Sequence, residues 1–100
     1  MNARIINSPQ NGVMDMLQRR VSPQVRKWVE AHPVSAMGLV QTSVPDLFYF
    51  ADVAEKAADV FTVELNGTCP QTTTTLAVLG ETSAVRAAME AIEAGQPTVF

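Results

Sequence analysis

The chain has 100 residues, 47% of them apolar, 17% charged and 6% aromatic, with a net charge of -3. That composition is too apolar for disorder, and its charged fraction lies below the roughly 25% of an average soluble domain, which implies that part of the surface is buried against a partner. The acidic balance argues against nucleic acid, no run approaches the roughly 20 apolar residues of a membrane span, and "MNARIINSP" lacks the apolar core of a secretory signal. A single-domain cytosolic protein is therefore expected, with neither nucleic acid nor membrane as partner.

"ARIINS" at 3–8 reads as a short strand. "VMDMLQRR" sets Val13, Met14 and Leu17 at helical spacing over a turn or two. Ser22 and Pro23 then suit the cap and first position of a helix through "QVRKWVEAH", whose Trp28 is expected to pack it onto a sheet. "SAMGLVQ" at 35–41 is a short apolar run, the pattern of a buried strand. In "SVPDLFYFADVAEKAADV", Ser43 is a cap, Pro45 and Asp46 suit the first turn, and Leu47, Phe50, Ala51, Ala54 and Ala58 recur at helical spacing.

"DVFTVELN" at 59–66 alternates Phe61, Val63 and Leu65 with Thr62 and Glu64, a half-buried strand. "TTTTLAVLG" at 72–80 is rich in β-branched residues and reads as its hairpin partner. Between them, Gly67 permits positive φ while Pro70 fixes its own φ and lacks an N–H, which places Cys69 at a hairpin tip. The last helix, "TSAVRAAMEAIEAG", carries Val85, Ala88, Met89 and Ile92 as its stripe and stops at Gly95. Both long helices present mainly alanine, which permits close approach to a sheet or to another subunit. The order from residue 35 is βαββα, an α/β (α+β) unit that wants one more strand, and "ARIINS" is the one candidate, displaced to the wrong end of the chain.

Few residues offer chemistry. Cys69 is the single cysteine, so it forms no internal disulfide and is either inert, reactive or shared between chains. A small thiol or redox protein would need a base beside Cys69, and no His, Lys or Arg lies within several residues of it. His32, the sole histidine, reads as structural or surface, and the threonines at 72–75 follow from strand propensity. "QRR" with Arg26 and Lys27 reads as a small solvated basic patch, and Lys56 taken alone is a solvated helix lysine.

"AMGLVQTSVPDLFYFADVAEKAADVFTVEL", a turn, and "TTTTLAVLGETSAVRAAMEAIEAG" together resemble the shell-protein domain of bacterial microcompartments, with its A-x-G-L-V-E-T strand, A-A-D-A-x-x-K-A-A helix and T-V-x-V-x-G-D-V-x-A-V-x-A-A segment. The resemblance spans roughly residues 35 to 95 and lies in several weak motifs in the right order. "ARIINSP" looks like the family's final strand moved to the front, as in circularly permuted members. Residues 1–100 then form a single permuted domain, with 1–33 holding the permuted strand and connecting helices and 34–100 the core.

The resemblance implies a structural protein, not an enzyme: a cyclic homohexamer that tiles with other shell proteins into a layer in the bacterial cytoplasm, with a pore on the six-fold axis. Lys56 in "AEKAAD" falls at the position of the family's edge lysine, while Ser8-Pro9-Gln10 stands where many members carry an arginine. The pore turn, usually like K-I-G-S-G, is here Asn66, Gly67, Thr68, Cys69, Pro70 and Gln71. Shell proteins resembling those of glycyl-radical (propanediol) microcompartments have such a Gly-x-Cys-Pro-Gln turn and are linked to iron–sulfur binding.

By that resemblance, Gly67, Thr68, Cys69, Pro70 and Gln71 form a cofactor-binding turn, Cys69 being the metal ligand of a shared cluster of the 4Fe-4S kind. Soft thiolates select iron–sulfur clusters, zinc or copper(I). Backbone amides near Gly67 and Thr68 would tune the potential. The implied roles are electron transfer or cofactor supply across the shell, with encapsulated redox or glycyl-radical enzymes as partners. Zinc is the rival metal, reversible disulfides are disfavoured by cytosolic reduction, and a trimeric ligand-binding regulator of related βαββαβ architecture is the other alternative.

Overall fold

The computed structural model describes residues 2–65 and 73–95. The elements, in chain order, are β1 (Asn2–Asn7), α1 (Asn11–Gln18), α2 (Pro23–Ala31), β2 (Ala36–Ser43), α3 (Val44–Ala57), β3 (Phe61–Leu65), β4 (Thr73–Gly80) and α4 (Thr82–Ala94). The strands form one antiparallel sheet in the order β1-β2-β4-β3.

The sheet is built on β2 and β4, which pair over eight residues from Ala36↔Gly80 to Ser43↔Thr73. Both strands are buried on both faces, which explains why they read as apolar runs and not as alternating patterns. On one face Ala36, Val40, Leu76 and Val78 pack beneath α3 and α4 through Leu47, Phe50, Ala54, Val85, Ala88, Met89 and Ile92. On the other, Met37, Ala77 and Leu79 meet Leu17, Val21 and Val29, with Trp28, Leu39 and Phe61 packed around them. The N-terminal segment β1 lies antiparallel beside β2 from Asn2↔Gln41 to Asn7↔Ala36, so the displaced strand does complete the sheet.

Local signals account for the helix starts. Ser22 Oγ accepts from the Val25 amide at 3.3 Å with Pro23 in the first turn, and Ser43 Oγ accepts from the Asp46 amide at 3.4 Å. Asp46 in the first turn and Lys56 in the last both complement the dipole of α3. Gly95 caps α4, its N–H donating to the Ala91 carbonyl. Helix α1 is two turns, as its spacing suggests, and its Leu17 is buried in the second core.

Trp28 docks α2 on the sheet as expected: its ring stacks on Phe61 of β3 at 4.1 Å and on His32 at 4.2 Å. His32 donates through Nδ1 to the Trp28 carbonyl at 2.8 Å, the structural role expected of it. Such aromatic pairs add about 0.5–1.5 kcal/mol beyond the area they bury.

Gly38 of β2 has a packing reason. A β-carbon there would lie 2.5 Å from Met89 Sδ and 2.9 Å from its Cγ, so the bare backbone lets α4 settle onto the sheet. Gly38→Val should destabilise the fold by about 2 kcal/mol in chemical denaturation, and markedly less when measured in a Met89→Ala background. An equal cost in both backgrounds would remove the close approach as the reason for glycine.

Candidate functional site

Residues 66–71, which include Gly67, Thr68, Cys69, Pro70 and Gln71, lie outside the described residues. What the structure supplies is their anchorage. β3 and β4 pair from Phe61↔Leu79 to Leu65↔Thr75, so the strand ends that bracket the cysteine-bearing segment are neighbours in one sheet. A charge-bearing strap crosses them, Thr74 donating its hydroxyl to Glu64 Oε2 at 2.7 Å. One residue pair earlier on β3, the Thr62 hydroxyl donates to Glu55 of α3.

The path of the chain separates this end of the sheet from Lys56. β2 arrives at Ser43 opposite Thr73, and α3 then runs back along the sheet before β3 returns. From Val44 to Lys56 the helix rises about 18 Å, at 1.5 Å per residue. Hence the strand ends flanking the cysteine-bearing segment lie by the first turn of α3, and Lys56 lies at its far end. The described strand ends and Lys56 therefore lie at opposite ends of α3.

Lys56 is 76% exposed in its side chain and pairs with Asp52 one turn earlier, Nζ to Oδ2 2.8 Å. The Asp52 hydrogen bond first, and its negative charge second, hold the Lys56 ammonium above its ordinary pKa of 10.5. Among the described residues no group of three or more His, Cys, Asp or Glu side chains is placed to hold a metal ion.

A different feature of α3 had not been singled out from the sequence. Phe48 is 70% exposed, and Val44 and Tyr49 stand exposed beside it. Val44, Phe48, Asp52 and Lys56 follow one another at i,i+4, so a single helix face is apolar over its first half and ion-paired over its second. The signal was present as apolar residues lying off the Leu47, Phe50, Ala54 stripe. A large exposed aromatic next to other apolar groups marks a contact surface more often than chance placement does.

The BMC domain family matches residues 36–98. The chain belongs to the BMC-domain family. Among solved structures, the chain resembles the ligand-free GrpU microcompartment shell protein of Pectobacterium wasabiae at 40% identity, covering 92% of this chain and 99% of that one, with a TM-score of 0.75. It also resembles the ligand-free GrpU microcompartment shell protein of Clostridiales bacterium 1_7_47FAA at 33% identity, covering 93% of this chain and 88% of that one, with a TM-score of 0.67. No match is found among curated proteins. The BMC-domain match begins at β2, and the structural likeness extends over most of the chain. No helix among the described residues is long and apolar enough to cross a membrane.

The Asp52–Lys56 pair yields a direct check on the BMC-domain chain. A lysine raised by its partner contributes while the pH is below its ordinary value, and that contribution fades as pH climbs through the raised one. Asp52→Asn should move the Lys56 titration, followed by NMR of its side-chain carbons, down toward the ordinary value while leaving the melting temperature nearly unchanged, because the pair is exposed. An unmoved titration would refute the pairing.

Proposed function

We propose that this chain is a structural tile of a bacterial microcompartment shell, located in the bacterial cytoplasm, which assembles as a homohexamer and joins other shell proteins edge to edge. The observation that carries the reading is the 40% likeness to a microcompartment shell protein across 92% of the chain. The exposed Val44, Phe48 and Tyr49 support the assembly half of it. A lone chain that leaves Phe48 in water gains by covering it with a neighbour, and repetition of one heterologous contact around an axis closes a ring. Lys56, held outward by Asp52 at the far end of α3, serves as the edge residue between hexamers.

In the same reading the N-terminal strand β1 is the family's final strand brought to the front by circular permutation. What supports this is its place: β1 pairs with β2, the strand of the "AMGLVQ" motif, although 28 residues separate Asn7 from Ala36.

The cofactor half of the proposal concerns Cys69. One chain does not supply a cluster, since the sequence holds one cysteine and the described residues gather no other ligand set. Several copies around an axis would supply it: thiolates are the ligands that iron–sulfur clusters take, and three or four suffice. A cluster held in this way would provide a one-electron centre in the shell, with Gly67, Thr68, Pro70 and Gln71 shaping the turn around the thiol. Six equivalent thiols exceed the need of one cuboidal cluster, so a bound cluster would leave some unligated or break the symmetry.

Two experiments test these halves separately. Native mass should be about 65 kDa, six times the 10.8 kDa of one chain, and Phe48→Asp should shift it to smaller species; a trimer, or a hexamer indifferent to Phe48→Asp, would overturn the assembly as argued. Protein purified under argon should carry iron and acid-labile sulfide in about equal amounts, roughly four of each per hexamer, and Cys69→Ser should abolish both without changing the mass. Iron-free anaerobic protein would remove the cofactor and leave the tile.

A further inference from the structure

The sheet has two open margins, β1 on one side and β3 on the other, and they differ in charge. Arg4 is the one charged residue of β1, and it is exposed and enters no ion pair among the described residues. The Ser8 N–H donates to the Ser35 carbonyl at 2.8 Å, and an antiparallel ladder alternates. The even-numbered residues of β1 therefore bond to β2, while the carbonyls of Ala3, Ile5 and Asn7 turn to the open side. The Arg4 guanidinium donates to one of these, the Ala3 carbonyl, at 2.8 Å, so its positive charge is held along the free edge of the sheet. Ile5 beside it is 42% exposed.

The other margin is acidic. Glu64 stands exposed on β3, and Glu55 stands exposed on α3, where it accepts from the Thr62 hydroxyl. That bond turns the Glu55 side of α3 toward β3, and Phe48, two turns earlier, lies on the same side. β3 carries no cation, and the one cation of α3, Lys56, is already paired with Asp52. The ladder also sets the two margins in step. Arg4 is opposite Leu39, Leu39 opposite Ala77, and Ala77 opposite Val63, which lies between Thr62 and Glu64.

We propose that a second copy of this chain occupies the β1 margin, and that it does so with its α3–β3 margin, bringing Arg4 of one copy against Glu55 and Glu64 of the next. This rests on the ring reading given above and names the two surfaces that build it. Rotation about an axis beyond the strand ends near Thr73 keeps every residue at its own distance from that axis. Neighbouring copies therefore meet level for level, which places Arg4 beside Val63 of the next copy with an acid to either side. Ile5 and Phe48 supply the apolar part of the two surfaces. A two-fold pairing of β1 with itself would instead crowd two copies of Arg4 onto a strand that holds no acid. A charge on an open edge turns away the wrong strand, and here it admits an acidic margin and refuses a basic one. Because the two margins are unlike, the contact is heterologous, and its repetition in one sense closes a ring.

The test follows the native mass of the full chain on dilution and reads the concentration at which the assembly dissociates. Arg4→Glu and Glu55→Arg, each alone, should raise that concentration by about tenfold or more, with the far-UV circular dichroism of the dissociated chain unchanged. Placed together in one chain, the two reversals should bring assembly back close to that of the wild type, which loss of fold in either variant would not do. A wild-type ring that keeps its mass and its dissociation concentration in Arg4→Glu would overturn this contact and leave the ring reading standing. So would a double reversal no better than the single ones. A wild-type chain that stays monomeric would overturn the ring reading and this contact with it.

Discussion

The pairing of β2 with β4 is the constraint on which everything else in this chain depends. Because both strands are covered on both sides, each successive residue is committed to a different core: Ala36 and Val40 face α3 and α4, Met37 and Leu39 face α1 and α2, and the partners opposite them agree. A slip of one residue would exchange the two sets, placing Met37 and Leu79 under the alanine-lined helices and Gly38 where Met89 no longer needs it. The small residues matter most here. Ala36, Ala54 and Ala88 are fully buried, and their size lets two helices lie close to the sheet without voids. The register is thus set by size as well as by hydrophobicity.

From that register follows the division of the molecule into two ends. Strand β2 ends at Ser43, whose hydroxyl starts α3 at once, so the helix must return along the sheet. Its length carries Lys56 to the far end, beside the start of β3, while Leu65 and Thr73 stay at the near end with Ser43. A shorter or kinked α3 would bring the ion pair and the strand ends together. The continuous run of helix formers in "ADVAEKA", with no glycine or proline, prevents that.

Much of this was legible in the residues because its causes are local. Ser22-Pro23 and Ser43 announce helix starts through hydroxyls that accept from amides three residues on, and the structure contains those bonds. The "SAMGLVQ" run and the alternation in "DVFTVELN" announce a doubly buried strand and a half-buried one, as found. What could not be read are relations between distant segments. A helical stripe says that a helix is buried on one side and not which face of the sheet receives it, so the assignment of α1 and α2 to one layer and α3 and α4 to the other appears only in three dimensions. Phe48 and Tyr49 passed as helix residues because the spacing rule rewards Leu47 and Phe50 and is silent about apolar residues on the opposite side.

Those two aromatics carry the argument from fold to assembly. A domain of this size gains its stability from one modest pair of cores, and an exposed phenylalanine adds nothing to either. In the assembly proposed, the apolar first half of the α3 face contributes contact area, while the ion-paired second half keeps Lys56 extended toward water until a neighbouring ring meets it. An apolar residue at position 52 would release Lys56 and lengthen the apolar stripe by a full turn, inviting contacts that do not close. On that proposal the order of residues along this one face, Val44 and Phe48 first and Asp52 and Lys56 after, would separate the contact that builds a ring from the contact that joins rings.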